Sequence, residues 1–280
     1  MFTACAQSTT HAPAKAPVAA PSDLAKIEAT TGGRLGVFAL DTATDEQLAH
    51  RADERFAMCS TFKWVLTAAL LARVDRGEVA LDERVSYGHQ DLLEYAPVTT
   101  AAVAEGSMTV EALAAAAVVT SDNTAANLLL AKVGGPAGLT RFMRSCGDSV
   151  TRLDRLEPDL NANVPGDPRD TTSPRAMAGL MRHILCGEDT LSPTSRERLL
   201  RWLRECETGK NRLRAGFPSD WLVGDKTGSC QRNAVNDVAI AVPPGRAPVI
   251  VAVYTSNGSA EFAALEAAHA AVARVVAREL

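Results

Sequence analysis

Ser60 and Lys63 stand three residues apart in Ser60-Thr61-Phe62-Lys63, and on a helix that spacing brings a hydroxyl and an amine onto one face. A serine hydroxyl is a poor nucleophile until a neighbouring base takes its proton, so the pair holds the elements of covalent acyl-transfer chemistry. Two triplets follow in order. Ser121-Asp122-Asn123 offers a second hydroxyl and an amide; Lys226-Thr227-Gly228 offers a cation, a hydroxyl and a glycine that lets a ligand approach the backbone. One S-x-x-K arises roughly once by chance in a chain of this length, so the weight rests on the ordered set. Each residue also has a plain alternative: Ser60 as a helix N-cap, Lys63 as a solvated side chain, the second triplet as the cap of the helix after it. Lys63 precedes the apolar run Trp64, Val65, Leu66, which favours burial of the amine, and burial lowers a lysine pKa toward that of a working base.

The elements that must carry these residues are readable from periodicity. The pattern predicts a helix over Asp23 to Thr31, a stop at Gly32-Gly33, and strands over Leu35 to Leu40 and about Leu48 to Ala52. Helices are expected from Ser60 to Arg76, from Thr109 to Thr120 behind a threonine cap, and from Asn123 to Val133, which ends at Gly134-Gly135. Two more should span Ser173 to Leu185 and Pro193 to Glu205. Strands return at Trp221 to Thr227, Ala234 to Val242 and Val249 to Thr255, before a closing helix from Ala260 to Leu280 with the apolar stripe Phe262, Leu265, Val272, Val275, Val276. Strands at both ends with helices between them predict an α/β domain from residues 23–52 and 205–280 and an inserted all-helical domain from residues 53–204. The site belongs in the cleft between them.

Composition narrows the function classes. With 280 residues and 46% hydrophobic content there is ample material for a buried core. A net charge of −4 with interspersed signs shows no basic stripe, which argues against nucleic acid as a partner and leaves a small molecule open. The longest apolar stretches are far too short for a transmembrane segment. His11, His50, His89, His183 and His269 are scattered, and the six cysteines form no C-x-x-C pair, so no metal site is expected. Residues 1–22, rich in Ala, Pro and Thr, read as a flexible leader or linker. No charged-then-apolar signal is present in it, so any export signal is expected to have been removed already. Phe2-Thr3-Ala4-Cys5 resembles the end of a bacterial lipoprotein signal, in which Cys5 would carry a lipid anchor; an incidental tail cysteine is the alternative.

The three ordered motifs resemble those of the class A serine β-lactamases. Arg155-Leu156-Glu157-Pro158-Asp159-Leu160-Asn161 is similar to that family's Ω-loop, and the resemblance extends over about residues 24 to 280. It implies a β-lactamase/transpeptidase-like fold, an antiparallel sheet with flanking helices beside the all-helical domain, and no cofactor. It implies Ser60 as nucleophile, Ser121 as proton carrier to the departing lactam nitrogen, and Glu157 with Asn161 as holders of the hydrolytic water. Lys63 or Glu157 would activate Ser60. Asn123 would meet the substrate's side-chain amide, and Asp122 would be structural. Lys226, Thr227 and Ser229 would take the substrate carboxylate, and the N–H groups of Ser60 and Ser229 would form the oxyanion hole. Arg155 and Asp170 match the family's salt bridge at the neck of the loop, and Glu157-Pro158 is a place for a cis peptide. Where many relatives carry an arginine on the following strand, this chain has Val235; Arg212 matches the arginine that replaces it in some carbapenem-hydrolysing members. Tyr95 resembles the aromatic wall of the cleft.

Cys59 and Cys230 flank the nucleophile and the third motif, so convergence of the motifs should bring the two thiols together, and a pair at these places resembles that of the class A carbapenemases. Two small buried thiols are the alternative. The resemblance thus implies an exported or periplasmic bacterial enzyme, active as a monomer, that opens β-lactams including carbapenems. Two other readings share the motifs: a D-Ala-D-Ala carboxypeptidase or transpeptidase, and a non-enzymatic β-lactam sensor. The Glu157 to Asn161 segment argues against the transpeptidase, which must let an amine, not water, take the acyl group. No partner is implied for Cys146, Cys186 or Cys206.

Overall fold

The structure is a computed structural model that describes residues 21–280; Cys5 and nearly all of the expected leader lie outside the described residues. In chain order the elements are α1 (Pro21–Thr31), β1 (Arg34–Asp41), β2 (Gln47–His50), β3 (Phe56–Ala57), α2 (Phe62–Asp75), β4 (Arg84–Ser86), α3 (Pro97–Ala101), β5 (Ser107–Thr109), α4 (Val110–Val119) and α5 (Asn123–Lys132). They continue with α6 (Gly135–Ser145), β6 (Thr171–Thr172), α7 (Pro174–Cys186), α8 (Pro193–Arg204), β7 (Leu222–Cys230), β8 (Ala234–Val242), β9 (Val249–Ser256) and α9 (Phe262–Glu279). Two short ladders, β3 with β6 and β4 with β5, brace the loops.

The main sheet has the order β2-β1-β9-β8-β7, and every neighbouring pair is antiparallel. It is built from the two ends of the chain. Period-2 alternation feeds two cores. Leu35, Val37 and Ala39 of β1 and Val249, Val251 and Val253 of β9 pack with Leu24 of α1 and Val272, Val275 and Val276 of α9. The intervening Phe38, Leu40, Ile250, Ala252 and Tyr254 face the other way, into a larger core with Trp64, Leu66 and Leu70 of α2 and Met177 and Met181 of α7. Each of these large apolar side chains contributes about 1.5 to 3 kcal/mol through burial, which fixes α2 against the sheet.

The expected elements are present within a few residues, α3 and the short strands β3, β4, β5 and β6 are additional, and three further points differ. The helix of the first motif begins at Phe62; Ser60 sits in a 3₁₀ turn, Cys59–Thr61, in front of it. Helix α6 is additional: Gly134-Gly135 ends α5 and also starts a new helix. Gly134 has φ +86°, and a side chain at Gly138 would meet the Val133 carbonyl, so these glycines permit the sharp turn between α5 and α6. Phe262 leaves the apolar stripe and is 52% exposed. Among the described residues, no helix is long and apolar enough to cross a membrane.

Candidate active site

The Ser60 turn is held from the sheet. Cys59 has φ +47°, an uncommon backbone for a side chain larger than glycine, and it is disulfide-bonded to Cys230 at the end of β7 with a Cα separation of 5.7 Å. The expected bridge is therefore present. Asn236 of β8 donates to the carbonyls of Ala57 and Met58 at 2.9 and 3.2 Å. Gly228 of β7 lies against the same turn, where an added Cβ would come within 3.0 Å of the Ser60 and Thr61 nitrogens. The strand can approach these amides because position 228 carries no side chain.

Lys63, in the first turn of α2, is fully buried. Its ammonium donates to the Ser121 carbonyl at 2.8 Å and to Asn123 Oδ1 at 2.5 Å, and it pairs with Glu157 Oε1 at 3.1 Å. Burial pulls its pKa below the ordinary lysine value, opposed by the Glu157 charge. Ser60 Oγ donates to Glu157 Oε1 at 3.4 Å, so the carboxylate lies within reach of both the hydroxyl and the amine.

Ser121 sits at φ +63° between α4 and α5, and this left-handed backbone turns both its carbonyl and its hydroxyl toward the two lysines. The carboxylate of Asp122 accepts from Ala125 N, Val98 N, Thr99 N and Thr99 Oγ1 at 2.8 to 3.0 Å. It caps α5 and ties α3 to it, which leaves Asn123 fixed at the first helical position.

Glu157 is held from two sides. Asn127, one turn beyond Asn123 on α5, donates to the Glu157 carbonyl at 2.9 Å and accepts from its N–H at 3.0 Å. Asn161, in the 3₁₀ turn Asp159–Asn161, donates to Glu157 Oε2 at 2.5 Å. The base of the loop is closed by Arg155 and Asp170, paired at 2.5 Å, and the Glu157-Pro158 peptide is cis. Asn161 Oδ1 is a buried acceptor without a protein partner.

On β7, Lys226 donates to Ser121 Oγ at 3.1 Å and to the Thr227 carbonyl at 2.9 Å, and burial pushes its pKa down to about 8. Thr227 Oγ1 pairs with Thr208 Oγ1 at 2.5 Å. Val235, opposite Ser229 in the ladder, is buried and supplies no charge. The cation comes from elsewhere. Arg212 is 4% exposed and reaches Ser229 Oγ at 2.8 Å, anchored by the carbonyls of Gly228 and Asn236 at 3.1 and 2.7 Å.

Of these groups, Ser60, Ser121, Asn123, Asn161, Arg212, Thr227 and Ser229 line one cleft of about 370 Å³, together with Tyr95, which is 51% exposed. Lys63, Glu157 and Lys226 do not line it but bond residues that do: Lys63 and Lys226 bond Ser121, and Glu157 bonds Ser60 and Asn161, while Cys59 and Cys230 adjoin Ser60 and Ser229 in sequence. Sequence reasoning missed Asn127, Asn236, Thr208 and Phe262. Asn127 had a usable signal in its i+4 spacing from Asn123; the others act across long stretches of chain and had none.

Comparison with known proteins agrees with this geometry. The family profile described as the β-lactamase enzyme family matches residues 19–280. β-Lactamase AST-1 of Nocardia asteroides is 48% identical over 90% of this chain and 81% of its own length. The carbapenem-hydrolyzing β-lactamase KPC of Klebsiella oxytoca is 46% identical over 90% of this chain and 85% of its own. The solved structure of an ancestral class A β-lactamase, GNCA, superposes with a TM-score of 0.90 at 55% identity, covering 92% of this chain and 98% of that one. With the sheet order, the helical layers and the sequence likeness all in agreement over most of its length, the chain belongs to the class A β-lactamases.

Proposed function

We propose that the enzyme opens β-lactams through an ester on Ser60, which a water activated by Glu157 then hydrolyses, and that carbapenems are among its substrates. The observation that carries this reading is the position of Glu157 Oε1, 3.4 Å from Ser60 Oγ and 3.1 Å from Lys63 Nζ, with Asn161 on its other oxygen. Ser60 Oγ gives its proton to this cluster and bonds to the lactam carbonyl carbon. The oxyanion is stabilised by the N–H groups of Ser60 and Ser229, across the contact that Gly228 permits. As the carbon–nitrogen bond breaks, Ser121 Oγ passes a proton to the nitrogen, replenished from Lys226 at 3.1 Å or Lys63 at 3.5 Å.

In the second step Glu157 removes a proton from water, hydroxide adds to the ester, and Ser60 Oγ leaves with a proton returned from the same cluster. The orphaned Asn161 Oδ1 suits a water donating to it beside the Glu157 carboxylate. Asn123 uses its oxygen on Lys63, which leaves its N–H₂ group for a substrate amide. Lys226, Thr227, Ser229 and Arg212 receive the substrate carboxylate by charge-assisted bonds. The cleft lies between an α/β domain of residues 23–52 and 205–280 and a helical domain of residues 53–204. A disulfide fits an exported protein in an oxidising compartment.

The carbapenem assignment rests on the Cys59–Cys230 bridge, on the buried Arg212 beside Ser229, and on the likeness to a relative named as carbapenem-hydrolyzing. Imipenem offered in large molar excess tests it. Many turnovers per enzyme are expected, and trapping after a single acylation would limit the enzyme to other β-lactams.

A further inference from the structure

Phe262 is a large aromatic side chain at the first position of α9, half-exposed, with its ring on the cleft that holds Ser60. Its exposed ring offers an apolar, aromatic surface to whatever enters the cleft. The ring lies under Arg212, whose Cζ is 5.5 Å from the ring centroid. One helical turn on, Glu266 meets Arg212 Nε at 3.3 Å. Phe262 and Glu266 therefore both meet the guanidinium from α9, while its Nη2 donates to Ser229 Oγ at 2.8 Å.

We propose that Phe262 is a specificity-determining residue that receives the substituent next to the carboxylate of the substrate, and that it favours flat aromatic groups there. The inference rests on the reading of Arg212 and Ser229 as carboxylate partners. In a cephalosporin the carboxylate is on C4 and the variable substituent is on the adjoining carbon, C3. Because Arg212 bonds Ser229 and lies 5.5 Å from the Phe262 ring, a carboxylate received there would turn the adjoining C3 substituent toward that ring. Tyr95 stands on the same cleft, over the Ser121 and Asn123 side: its carbonyl accepts from Asn123 N at 3.0 Å. The two exposed rings thus serve different parts of a substrate, Tyr95 the acyl side chain and Phe262 the C3 group.

The test uses two cephalosporins with the same C7 acyl group, one with an arylvinyl group at C3 and one with a methyl group. Phe262→Ala should lower kcat/KM for the arylvinyl compound about 3- to 10-fold relative to the methyl compound, mainly through KM, the size expected for one lost aromatic contact. Phe262→Tyr should retain the parental preference. Equal losses for both compounds would mean that Phe262 only supports Arg212, and would overturn the inference, as would an unchanged ratio. Arg212→Ala tests the underlying reading separately, since it should weaken both compounds by a similar factor. Parental rates in that variant would remove the carboxylate assignment, while the substrate ratio in Phe262→Ala would still decide the role of the ring.

Discussion

Ser60 and Glu157 lie 97 residues apart in sequence, and the hydroxyl of one meets the carboxylate of the other at 3.4 Å. Two fixed elements produce this meeting. The Ser60 turn is held to the sheet by a disulfide and by Asn236, and the Glu157 loop is held to α5 by Asn127 and closed at its neck by Arg155 and Asp170. On the proposed reading, a carboxylate so placed separates an enzyme that releases its acyl group from a protein that keeps it.

Glu157→Ala should therefore acylate on Ser60 and then stall. General-base assistance contributes about 10² to 10⁴ in rate, so deacylation should slow by that factor and the ester should accumulate. Intact-protein mass spectrometry during penicillin turnover reads it directly. Parental steady-state turnover in this variant would mean that another group activates the water.

The Lys226 ammonium, with a pKa pushed down to about 8 by burial, gives a prediction in pH. Lys63 and Arg212 press the same way, while Asp225 and the Cys206 thiol oppose them. The amine is a cation below about pH 8 and loses its charge above it, so kcat/KM for carboxylate-bearing β-lactams should fall on the alkaline side with a midpoint near there. Lys226→Arg keeps the charge at high pH and should move that limb upward. An alkaline limb that stays in place in the arginine variant would assign the titration to a different group.

His269 is fully buried in α9, where burial holds its pKa down to about 4, against an ordinary value of 6.5. The fold favours the neutral ring, so its contribution is whole above pH 6.5 and is lost as the pH falls toward 4. The loss should reach about 3 kcal/mol. Urea unfolding near neutral pH and near pH 4 should show a shallower decline for His269→Gln than for the parent. Identical declines would place the acid sensitivity elsewhere.

The Cys59–Cys230 bridge spans a sequence separation of 171, for which the chain-entropy account gives about 5 kcal/mol of stabilisation. Peptide mapping of unreduced, exported protein should recover the linked pair. A doubly serine-substituted protein should melt lower and turn over imipenem more slowly, because the Ser229 strand is no longer tied to the Ser60 turn. Free thiols at both positions in protein from an oxidising compartment would contradict the bridge.

The parts of this molecule that were legible in the sequence are those set by local spacing. Alternation in β1, β8 and β9, the apolar faces of α2 and α7, and the three short motifs each carry their information within about ten residues. Cys59 and Cys230 were readable because each adjoins a motif whose partner was already implied. What was not legible depends on contacts between distant segments. Gly134-Gly135 marks a stop, but the start of α6 depends on Gly138 packing on the Val133 carbonyl. Phe262 fits the apolar period of α9, yet the first turn of that helix reaches past the core to Arg212. Asn236 looks like any polar residue in a strand until its amide is seen holding the Ser60 turn.

The central claim is that Ser60 forms the covalent bond with substrate. Penicillin added to the parent and to Ser60→Ala, followed by proteolysis and mass mapping of the adduct, tests it most directly. The account predicts a penicilloyl mass on the peptide containing Ser60 in the parent, no adduct in Ser60→Ala, and no turnover by that variant. An adduct on any other residue, or sustained hydrolysis without Ser60, would contradict it.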